Sequence, residues 1–493
     1  MQLLIGIDMG TTNTKAICFN ENGETIAAAS LPTKTVQQKN NGYVYDAEEI
    51  WPTVCQLLRE ISGKLTALSG RKALYKIAGL SVTGMAEAGI PVNAKGEPLY
   101  DVITWFDTRT AGYNHIWSDI PGDGVIEEIT GLHPQFIFSA NKILWLAEHV
   151  SGFRNSIAGW HCIPDYITWR LTGNSVMDYS LGCRTMMMDI KTKMWSREIL
   201  SIMGIPKEIM PELRPSGYKI GTITEYSSGE TGLPAGIPVY TGGHDHVCGA
   251  LAVGVTSSRR ILDSCGTSEE ILTASDNETE VLDIGKRGFN IGPHTALEQY
   301  YIAGGLPASG LSIDWYRKNF ADERYNCSVP GANGVMFLPD IRGSSSPERN
   351  ATSKGAFLGL RDTTTSDDCM QAVYEGLAYT ADRILNNISD KTLVEQIICI
   401  GGGSNNKAWM QIKADIYNRV IEIPVENESA ALGAALLAGK GCGLFKDERD
   451  AYKKTYREKY HIIPDPGHAE FYMDHRQQYY EKAELLGKLN NIS

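Results

Sequence analysis

The chain alternates between short apolar runs, which predict buried strands, and stretches with apolar residues at helical spacing. The first apolar run, Leu3–Ile7, leads to Asp8 and to the polar turn Gly10-Thr11-Thr12. A second strand-like run, Thr14–Phe19, follows that turn, and Asn20–Gly23 has the composition of a hairpin turn. The pattern predicts a strand, an acidic residue, a small-residue turn and a returning strand.

This arrangement suits phosphate binding. Glycine lets the backbone approach a ligand, and the N–H and hydroxyl groups of the turn can donate to phosphate oxygens. Asp8 stands where it could hold a metal ion, directly or through water. About half a chain later, Arg259–Asn277 repeats the pattern with Gly266-Thr267-Ser268 in the turn. Two such turns across a cleft would hold a nucleotide's phosphates from both sides, although unrelated hairpins with Gly-Thr turns would look the same.

Strands and helices continue to alternate along the chain, which predicts an α/β protein. Apolar residues from Ile50 to Ile61 recur at helical spacing, and Tyr75–Val82 reads as a buried strand. Glu87 follows that strand, and ligands bind beyond the carboxyl ends of strands in open α/β sheets. Glu87 is therefore a candidate substrate contact, with a solvated loop glutamate as the alternative.

The segment ITWFDTRT, Ile103–Thr110, places Trp105, Asp107 and Arg109 at alternate positions. On an extended segment these side chains share one face. An aromatic ring beside a carboxylate and a guanidinium suits a polyhydroxylated ligand, because the ring packs on C–H groups and the charges bind hydroxyls. The alternative is a buried Asp–Arg pair beside a core tryptophan.

A catalytic base is indicated where the strand Ile237–Tyr240 runs through TGGHDH into a small-residue helix. Asp245 projects from this strand-to-helix turn, open to a cleft yet held by rigid elements. A structural Asp that caps the helix is a compatible alternative. His244-Asp245-His246 also permits a metal site, but no further His or Cys spacing nearby supports it.

A third glycine-rich turn, Gly401–Gly403, joins an apolar strand to a helix. The backbone can approach a flat ligand there, and Asn405 and Asn406 can hydrogen-bond a base or a ribose. The alternative is a plain strand-to-helix turn. The small-residue helix ENESAALGAALLAG, residues 426–439, is expected to pack closely beneath this site.

Composition bounds the class of protein. With 493 residues the chain predicts two domains, and its net charge of −12 argues against nucleic acid or an anionic membrane as main partner. The ten cysteines show no CxxC motif, and no basic segment with an apolar core begins the chain. We therefore expect reduced thiols, no signal peptide, no membrane span and a cytoplasmic location. A Walker A loop is absent, since no Gly-Lys pair precedes Ser or Thr.

In this order the motifs resemble those of the FGGY carbohydrate kinases, which include glycerol kinase, xylulokinase and gluconokinase. The resemblance spans most of the chain and rests on these segments: GIDMGTTNTKA, WFDTR, NKILWLAEH, GGHDH, SCGTSE, GAFLGL, ICIGGGSNN and ESAALGAALLA. It implies a two-domain, actin-like ATPase fold of the ribonuclease H-like kind with a cleft between the domains. Residues 1–253 would bind the sugar and carry the base, and residues 254–493 would bind the nucleotide.

The resemblance also implies roles for individual residues. Asp245 would be the catalytic base and Asp8 the Mg²⁺-associated aspartate. The sugar pocket would be lined by Glu87, Trp105, Asp107, Asp245 and His246. The contacts to ATP would come from Gly10, Thr11, Thr12, Asn13, Lys15, Gly266, Thr267, Gly310, Gly402, Gly403 and Asn406.

The expected activity is ATP- and Mg²⁺-dependent transfer of the γ-phosphate to a hydroxyl of a small sugar, polyol or sugar acid, with a xylulose-like ketopentose as the default. Glycerol, gluconate or another polyol or deoxy-sugar is the alternative. Two departures bear on the substrate: RGSSSPERN stands where the family often reads SGERTPH, and Ala86-Glu87 replaces the Met-His pair of xylulokinase-like members. Glu87 falls where glycerol kinase has a glutamate.

A different class of function also fits part of the pattern, namely a non-catalytic ATP-binding protein related to the actin-like chaperones. Asp245 and the WFDTR segment separate the two hypotheses, because a chaperone needs neither. Oligomeric state is left open, with a homodimer as one outcome.

Overall fold

The computed structural model describes residues 1–39, 42–69, 75–118, 120, 124–320, 329–344, 346–350, 352–390 and 393–490. Within these residues the chain forms two main β-sheets, one in each half, with helices packed against them. The predicted α/β architecture is confirmed.

The sheet of the first half has six strands in the order β5-β6-β4-β1-β2-β3. The strands are β1 Gln2–Met9, β2 Asn13–Asn20, β3 Thr25–Pro32, β4 Lys76–Gly84, β5 Lys219–Thr222 and β6 Pro238–His244. Strands β1 and β6 both run parallel to β4. Because parallel strands end at the same edge of a sheet, Asp8, Glu87 and Asp245 meet there.

The sheet of the second half has seven strands in the order β9-β10-β8-β7-β11-β12-β13. They are β7 Arg260–Cys265, β8 Glu269–Ser275, β9 Asn290–Pro293, β10 Tyr300–Leu306, β11 Gln396–Ile400, β12 Ile421–Pro424 and β13 Glu458–Ile462. Strand β7 pairs in parallel with β11 and antiparallel with β8. The turn after β7 and the glycine turn after β11 therefore lie at one edge, which is where two turns predicted to bind one nucleotide would have to lie.

Helices cover both sheets. In the first half they are α1 Ala47–Ser69, α2 Asn114–Ser118, α3 Val125–Thr130, α4 Ser139–His149, α5 Phe153–Ser156, α6 Ile163–Thr172, α7 Tyr179–Cys183, α8 Arg197–Met203, α9 Glu225–Thr231 and α10 Asp245–Ala252. In the second half they are α11 Glu278–Lys286, α12 Gly310–Phe320, α13 Ser366–Ile388, α14 Lys407–Tyr417, α15 Ser429–Gly441, α16 Glu448–Thr455 and α17 Pro466–Asn490.

Smaller elements complete the fold. Short 3₁₀ helices span Thr108–Tyr113, Lys207–Ile209, Ala332–Gly334 and Gly402–Asn405. Short strands outside the two main sheets span Thr35–Gln37, Tyr43–Tyr45, Gly89–Val92, Val102–Ile103, Gly159–Cys162, Val176–Asp178, Met188–Asp189, Met194–Trp195, Glu212–Arg214, Met336–Leu338 and Ala356–Leu358.

Helix α15 belongs in space to the first sheet, although its sequence lies in the second half. Its apolar residues share a buried cluster with Leu4 and Ile17 of that sheet. The approach is close: a Cβ on Gly6 would lie 1.9 Å from the Ala431 oxygen, and one on Gly433 would lie 1.9 Å from the Cys248 oxygen. Close packing of this small-residue helix is confirmed, but its expected place beneath the glycine turn at 401–403 is wrong.

The described helices include none with the length and apolarity needed to cross a bilayer.

Candidate active site

A cavity of about 370 Å³ opens where the two halves meet, at the carboxyl ends of the first sheet's strands. The first half contributes Thr11, Glu87, Trp105, Arg184, Asp245 and His246 to its wall. The second half contributes Ser268, Glu269, Glu270, Asn290 and Arg349. The cavity therefore brings the predicted base next to four of the predicted binding residues, namely Thr11, Glu87, Trp105 and His246.

Asp245 is the first residue of α10, directly after β6. Its Oδ1 accepts a hydrogen bond from the His246 N–H at 2.7 Å and lies 3.2 Å from the His244 Nε2. Burial alone would raise the pKa of Asp245, but His246 and His244 outweigh that effect and hold the pKa below its usual range. The carboxylate is therefore ionised at neutral pH, as a proton acceptor must be.

A buried polar network fixes the end of β6 just before Asp245. The His244 N–H donates to the Ser180 hydroxyl at 2.9 Å, and that hydroxyl donates to the Asp178 carboxylate at 2.8 Å. Ser216 donates to the same carboxylate at 2.8 Å. Because these groups are buried and satisfied, they hold the strand end rigidly.

Asp8 lies at the end of β1 with one carboxylate oxygen, Oδ1, buried and without a hydrogen-bond partner among the described residues. Burial, followed by the negative charge of Asp245, raises the pKa of Asp8 to about 7. A buried carboxylate oxygen without a partner is costly. A divalent cation beside it would supply the missing partner, so Asp8 fits a metal ligand.

Each of the two small-residue turns is closed by a hydrogen bond from the N–H of its glycine, to the third residue on in the first turn and to the second residue on in the second. In the first, the Gly10 N–H donates to the Asn13 carbonyl at 3.2 Å, and in the second the Gly266 N–H donates to the Ser268 carbonyl at 2.8 Å. The side chains of Thr12 and Thr267, one on each turn, are exposed. The two turns therefore offer comparable polar surfaces from opposite sheets.

Lys15 lies on β2, and its ammonium group pairs with the Glu428 carboxylate at 2.5 Å. Glu428 immediately precedes α15. The lysine predicted to lie along the phosphates therefore shares its charge with an acidic residue that sequence reasoning did not identify. Lys15 and Glu428 also act in opposite directions on the pKa of Asp8, which places both near that carboxylate.

Of the three glycines predicted to border the adenosine, two pack closely against neighbouring atoms and one is open. The N–H of Gly310 donates to the Gly266 carbonyl at 3.1 Å, and a Cβ on Gly310 would lie 2.5 Å from that oxygen. A Cβ on Gly403 would lie 2.6 Å from the Trp409 ring, whereas one on Gly402 would meet nothing within 4 Å. Gly310 and Gly403 thus allow close packing, and Gly402 offers an open backbone surface.

Asn406 acts as the N-cap of α14. Its side-chain oxygen accepts from the Trp409 N–H at 3.2 Å, and its amide donates to the Tyr374 hydroxyl at 2.8 Å. The predicted adenosine contact of Asn406 is therefore combined with a capping role.

Comparisons with known proteins agree with this geometry. Residues 3–252 match the family model "FGGY family of carbohydrate kinases, N-terminal domain", and residues 262–442 match the corresponding C-terminal domain. The chain belongs to the FGGY family of carbohydrate kinases. As an FGGY kinase it is a phosphotransferase that uses ATP and acts on a hydroxyl of a small-molecule sugar substrate.

Individual relatives cover nearly the whole chain. The xylulose kinase of Staphylococcus xylosus is 30% identical over 478 residues, 94% of this chain and 96% of the relative. A glycerol kinase of Rippkaea orientalis is 29% identical over 90% of each chain. The crystal structure of xylulose kinase from Rhodospirillum rubrum superposes with a TM-score of 0.88 at 25% identity, covering 99% of this chain and 100% of that one. The two-domain FGGY fold is confirmed.

Glu87 in this FGGY kinase is fixed by an arginine that sequence reasoning missed. Its Oε1 accepts from the Arg184 Nε at 2.6 Å, and both side chains are buried. The Glu87 carbonyl accepts from Lys142 at 2.9 Å, and burial lowers the pKa of that lysine to about 8. Arg184 lies in LGCRTMMMD, a buried segment without strand or helix periodicity, so no sequence pattern pointed to it.

The prediction for the WFDTR segment is partly wrong. The chain is not extended there, because a 3₁₀ helix begins at Thr108 with Asp107 as its N-cap. Asp107 is 2% exposed and pairs with Arg109 at 2.7 Å, so the buried ion pair, not a shared ligand face, is what the structure shows. Asp107 does not line the cavity, whereas Trp105 does and donates to the Thr11 hydroxyl at 3.1 Å.

Proposed function

We propose that this FGGY kinase transfers the γ-phosphate of ATP to a hydroxyl of a small sugar or polyol, with Asp245 as the general base. The observation that carries the proposal is the position of the Asp245 carboxylate. It is ionised, lies at the wall of the cavity, and acts electrostatically on Asp8. A carboxylate there reaches both a substrate hydroxyl and the place where phosphate would enter.

In the proposed reaction, Asp245 accepts the proton of the substrate hydroxyl while that oxygen attacks the γ-phosphorus in line. Phosphoryl transfer needs alignment and charge neutralisation more than covalent help. The N–H and hydroxyl groups of the turns at 10–12 and 266–268 would bind the phosphates from both sides, and Trp105 would pack against the sugar. A positioned carboxylate base contributes about 10²–10⁴-fold to such a step.

We further propose Mg²⁺ as the metal, held by Asp8 directly or through water. The partnerless Oδ1 of Asp8 and its raised pKa fit a hard cation with oxygen ligands. When bound, Mg²⁺ would neutralise charge on the phosphates. Among the ATP-contacting residues, Gly402 would border the adenosine, with Gly310, Gly403 and Asn406 holding the surrounding backbone in place.

The roles proposed for the two halves of the chain follow the two family matches. Residues 1–253 would carry the base and most of the sugar pocket, and residues 254–493 most of the nucleotide site. Helix α15 is an exception, since it packs on the first sheet. We keep the cytoplasm as the proposed location.

A ketopentose such as xylulose is the first candidate substrate, because xylulose kinases stand among the relatives that cover nearly the whole chain. The Glu87–Arg184 pair gives the pocket an anchored carboxylate that can accept hydrogen bonds from sugar hydroxyls. Glycerol and gluconate are the competing candidates.

The test is ADP release from ATP and Mg²⁺ across a panel of ketoses, aldoses, polyols and sugar acids, with Asp245→Asn measured beside the wild type. One compound should stimulate turnover strongly in the wild type, and the variant should bind ATP without that stimulation. Equal turnover of the two proteins would contradict the role of Asp245.

A further inference from the structure

Two charged side chains of the second half, Glu270 and Arg349, line the cavity without pairing with each other. Both belong to its wall, and no ion pair joins them among the described residues. Buried charges are usually paired, because burial removes their hydration. Glu270 and Arg349 are half-buried, and each is oriented by contacts of its own.

Arg349 is held by neutral groups. Its Nε donates to the Gly288 carbonyl at 3.1 Å, and its Nη2 donates to the Asn290 side-chain oxygen at 2.9 Å. Burial, together with the positive charge of Arg184, lowers the pKa of Arg349 to about 10, which still leaves it charged at neutral pH. Its Nη1 has no acceptor in the described part of the chain and is free to donate to a ligand.

Glu270 is held by its strand. It lies on β8 opposite Gly305 of β10, and its carboxylate has no hydrogen-bond or ion-pair partner in the part of the chain that the structure describes. Burial opposes protonation of the nearby His246, but Glu270 and then Asp245 outweigh it and raise the pKa of that imidazole. Glu270 and His246 line the same cavity from opposite halves of the protein.

The charged side chains around the cavity act on one another electrostatically. Those that act most strongly on Asp245 are His246, His244 and Arg184. Those that act on Arg349 are Arg184 and Glu270. Arg184 acts on both Asp245 and Arg349, and Glu270 and Arg349 line the same cavity as Asp245 from the other half of the protein. A sugar with its reacting hydroxyl at Asp245 therefore extends across the cavity toward Glu270 and Arg349.

We propose that Glu270 and Arg349 bind the end of the substrate opposite the reacting hydroxyl, and that together they select a neutral ketose over the corresponding sugar acid. This proposal rests on the function proposed above and deepens it. A ketose offers a hydroxyl that donates to Glu270 and a carbonyl oxygen that accepts from Arg349. The carboxylate of an acid would also bind Arg349, but Glu270 would repel it in a site with little water.

The sequence neighbourhood of both residues is distinctive within this chain. Arg349 lies in RGSSSPERN, the segment that departs from the usual family pattern, and Glu270 is the second glutamate of SCGTSEE. Neither residue belongs to the proposed base, metal or nucleotide contacts. Substitutions there should therefore change substrate preference and leave the transfer chemistry in place.

The experiment measures kcat and KM for a ketopentose, its alditol and its aldonate with the wild type, Arg349→Met and Glu270→Gln. Arg361→Met, an exposed arginine outside the cavity, serves as the matched control. The wild type should prefer the ketose. Arg349→Met should raise KM for the ketose about 10- to 100-fold with kcat within a few-fold, because a hydrogen bond to a charged group is lost.

Glu270→Gln should raise KM for the ketose about 10-fold, because a charged hydrogen-bond acceptor becomes a neutral one, and should lower KM for the aldonate, because the repulsion is removed. A wild type that prefers the aldonate, or unchanged KM values in both variants, would overturn the inference. Asp245→Asn separates the two proposals. If it is inactive while the cavity variants behave like the wild type, only the inference fails; if it is fully active, the proposed function fails as well.

Discussion

The two sheets of this kinase carry the same strand-turn-strand unit but treat its carboxylates in opposite ways. At the end of β1, Asp8 is half-buried, has a buried carboxylate oxygen without a partner among the described residues, and has a pKa raised to about 7. On β7, Asp263 is fully buried, and it accepts from Lys413 at 2.7 Å and from the Tyr417 hydroxyl at 2.9 Å.

In the second unit a further buried carboxylate, that of Glu269, shares the same lysine. Lys413 also contacts Glu269 at 2.7 Å, and Ser309 donates to Glu269 at 2.5 Å just before α12. Although burial opposes ionisation, Lys413 keeps the pKa of Asp263 below its usual range. A satisfied buried carboxylate stabilises the fold around a turn, whereas an unsatisfied one is available for a ligand. On the function proposed above, this difference separates the catalytic side of the cleft from the side whose carboxylates stabilise the fold.

The largest expected effect tests the catalytic side. Asp245→Asn should lower kcat by about 10²–10⁴-fold, because the amide cannot accept the substrate proton. ATP binding and the thermal midpoint should stay near wild-type values, since the amide retains an oxygen for the His246 N–H. Turnover measured by ADP release beside ATP titration checks both. Wild-type turnover in the variant would contradict the proposal that the first sheet carries the catalytic base.

The next largest effect tests the buried Lys413 network of the second sheet. Lys413→Met should lower the free energy of unfolding by about 3–5 kcal/mol, because two buried carboxylates lose their counter-charge. Lys407→Met, at the exposed start of the same helix, is the matched control and should change it by less than about 0.5 kcal/mol. Urea unfolding provides the comparison. Equal midpoints for the two variants would show that the Lys413 network does not stabilise the second unit.

A smaller effect sharpens the assignment of the nucleotide turns. Gly310→Ala should cost about 1–3 kcal/mol of stability, since its Cβ would meet the Gly266 oxygen at 2.5 Å. Gly402→Ala has open space, so it should leave stability unchanged and raise KM for ATP by about 3- to 10-fold, provided that adenosine lies against this backbone. A Gly402→Ala enzyme with unchanged KM for ATP would place the adenosine elsewhere.

The smallest effect concerns pH. Because the folded-state pKa of Asp8 is raised to about 7 from 3.8, the folded protein holds a proton that the unfolded chain releases. Stability from this group is therefore lost as pH rises from about 4 to about 7. On the proposed assignment Mg²⁺ would bind the ionised form of Asp8, so it should raise the thermal midpoint more at pH 8 than at pH 5.

In Asp8→Asn the pH-dependent loss of stability should be shallower and the gain from Mg²⁺ smaller. Asp314→Asn, an exposed aspartate on α12, serves as the control and should behave like the wild type. Other buried carboxylates with raised pKa values, such as Glu375, contribute equally to all three proteins. An identical response to Mg²⁺ in wild type and Asp8→Asn would contradict the metal assignment.

Much of the fold follows from local patterns in the sequence. The run Leu3–Ile7 and the returning strand are found as β1 and β2, and the repeat half a chain later is found as β7 and β8. Strand-to-helix turns place Asp245 where expected. These features depend on residues close together in the chain, so apolar periodicity and glycine positions suffice to predict them.

The features that the sequence did not predict depend largely on contacts between residues far apart in the chain. Asp107 lies beside Arg109, but capping of a 3₁₀ helix and a bond from the Tyr43 N–H, not strand geometry, decide its orientation. The partner of Glu87 is Arg184, about a hundred residues away in a segment without periodicity. Glu270 and Arg349 reach the cavity only because the two halves face each other, which no local pattern reveals.

The most direct test of the central claim compares Asp8→Asn with Asp263→Asn, two equal substitutions on the strands that lead into the two turns. Each variant is assayed for kcat/KM with the best sugar and for its unfolding midpoint. Asp8→Asn should lose activity by about 10²-fold or more at unchanged or higher stability, and Asp263→Asn should lose stability by about 1–3 kcal/mol while its folded fraction remains active. Equal losses of activity and stability in the two variants would contradict the account.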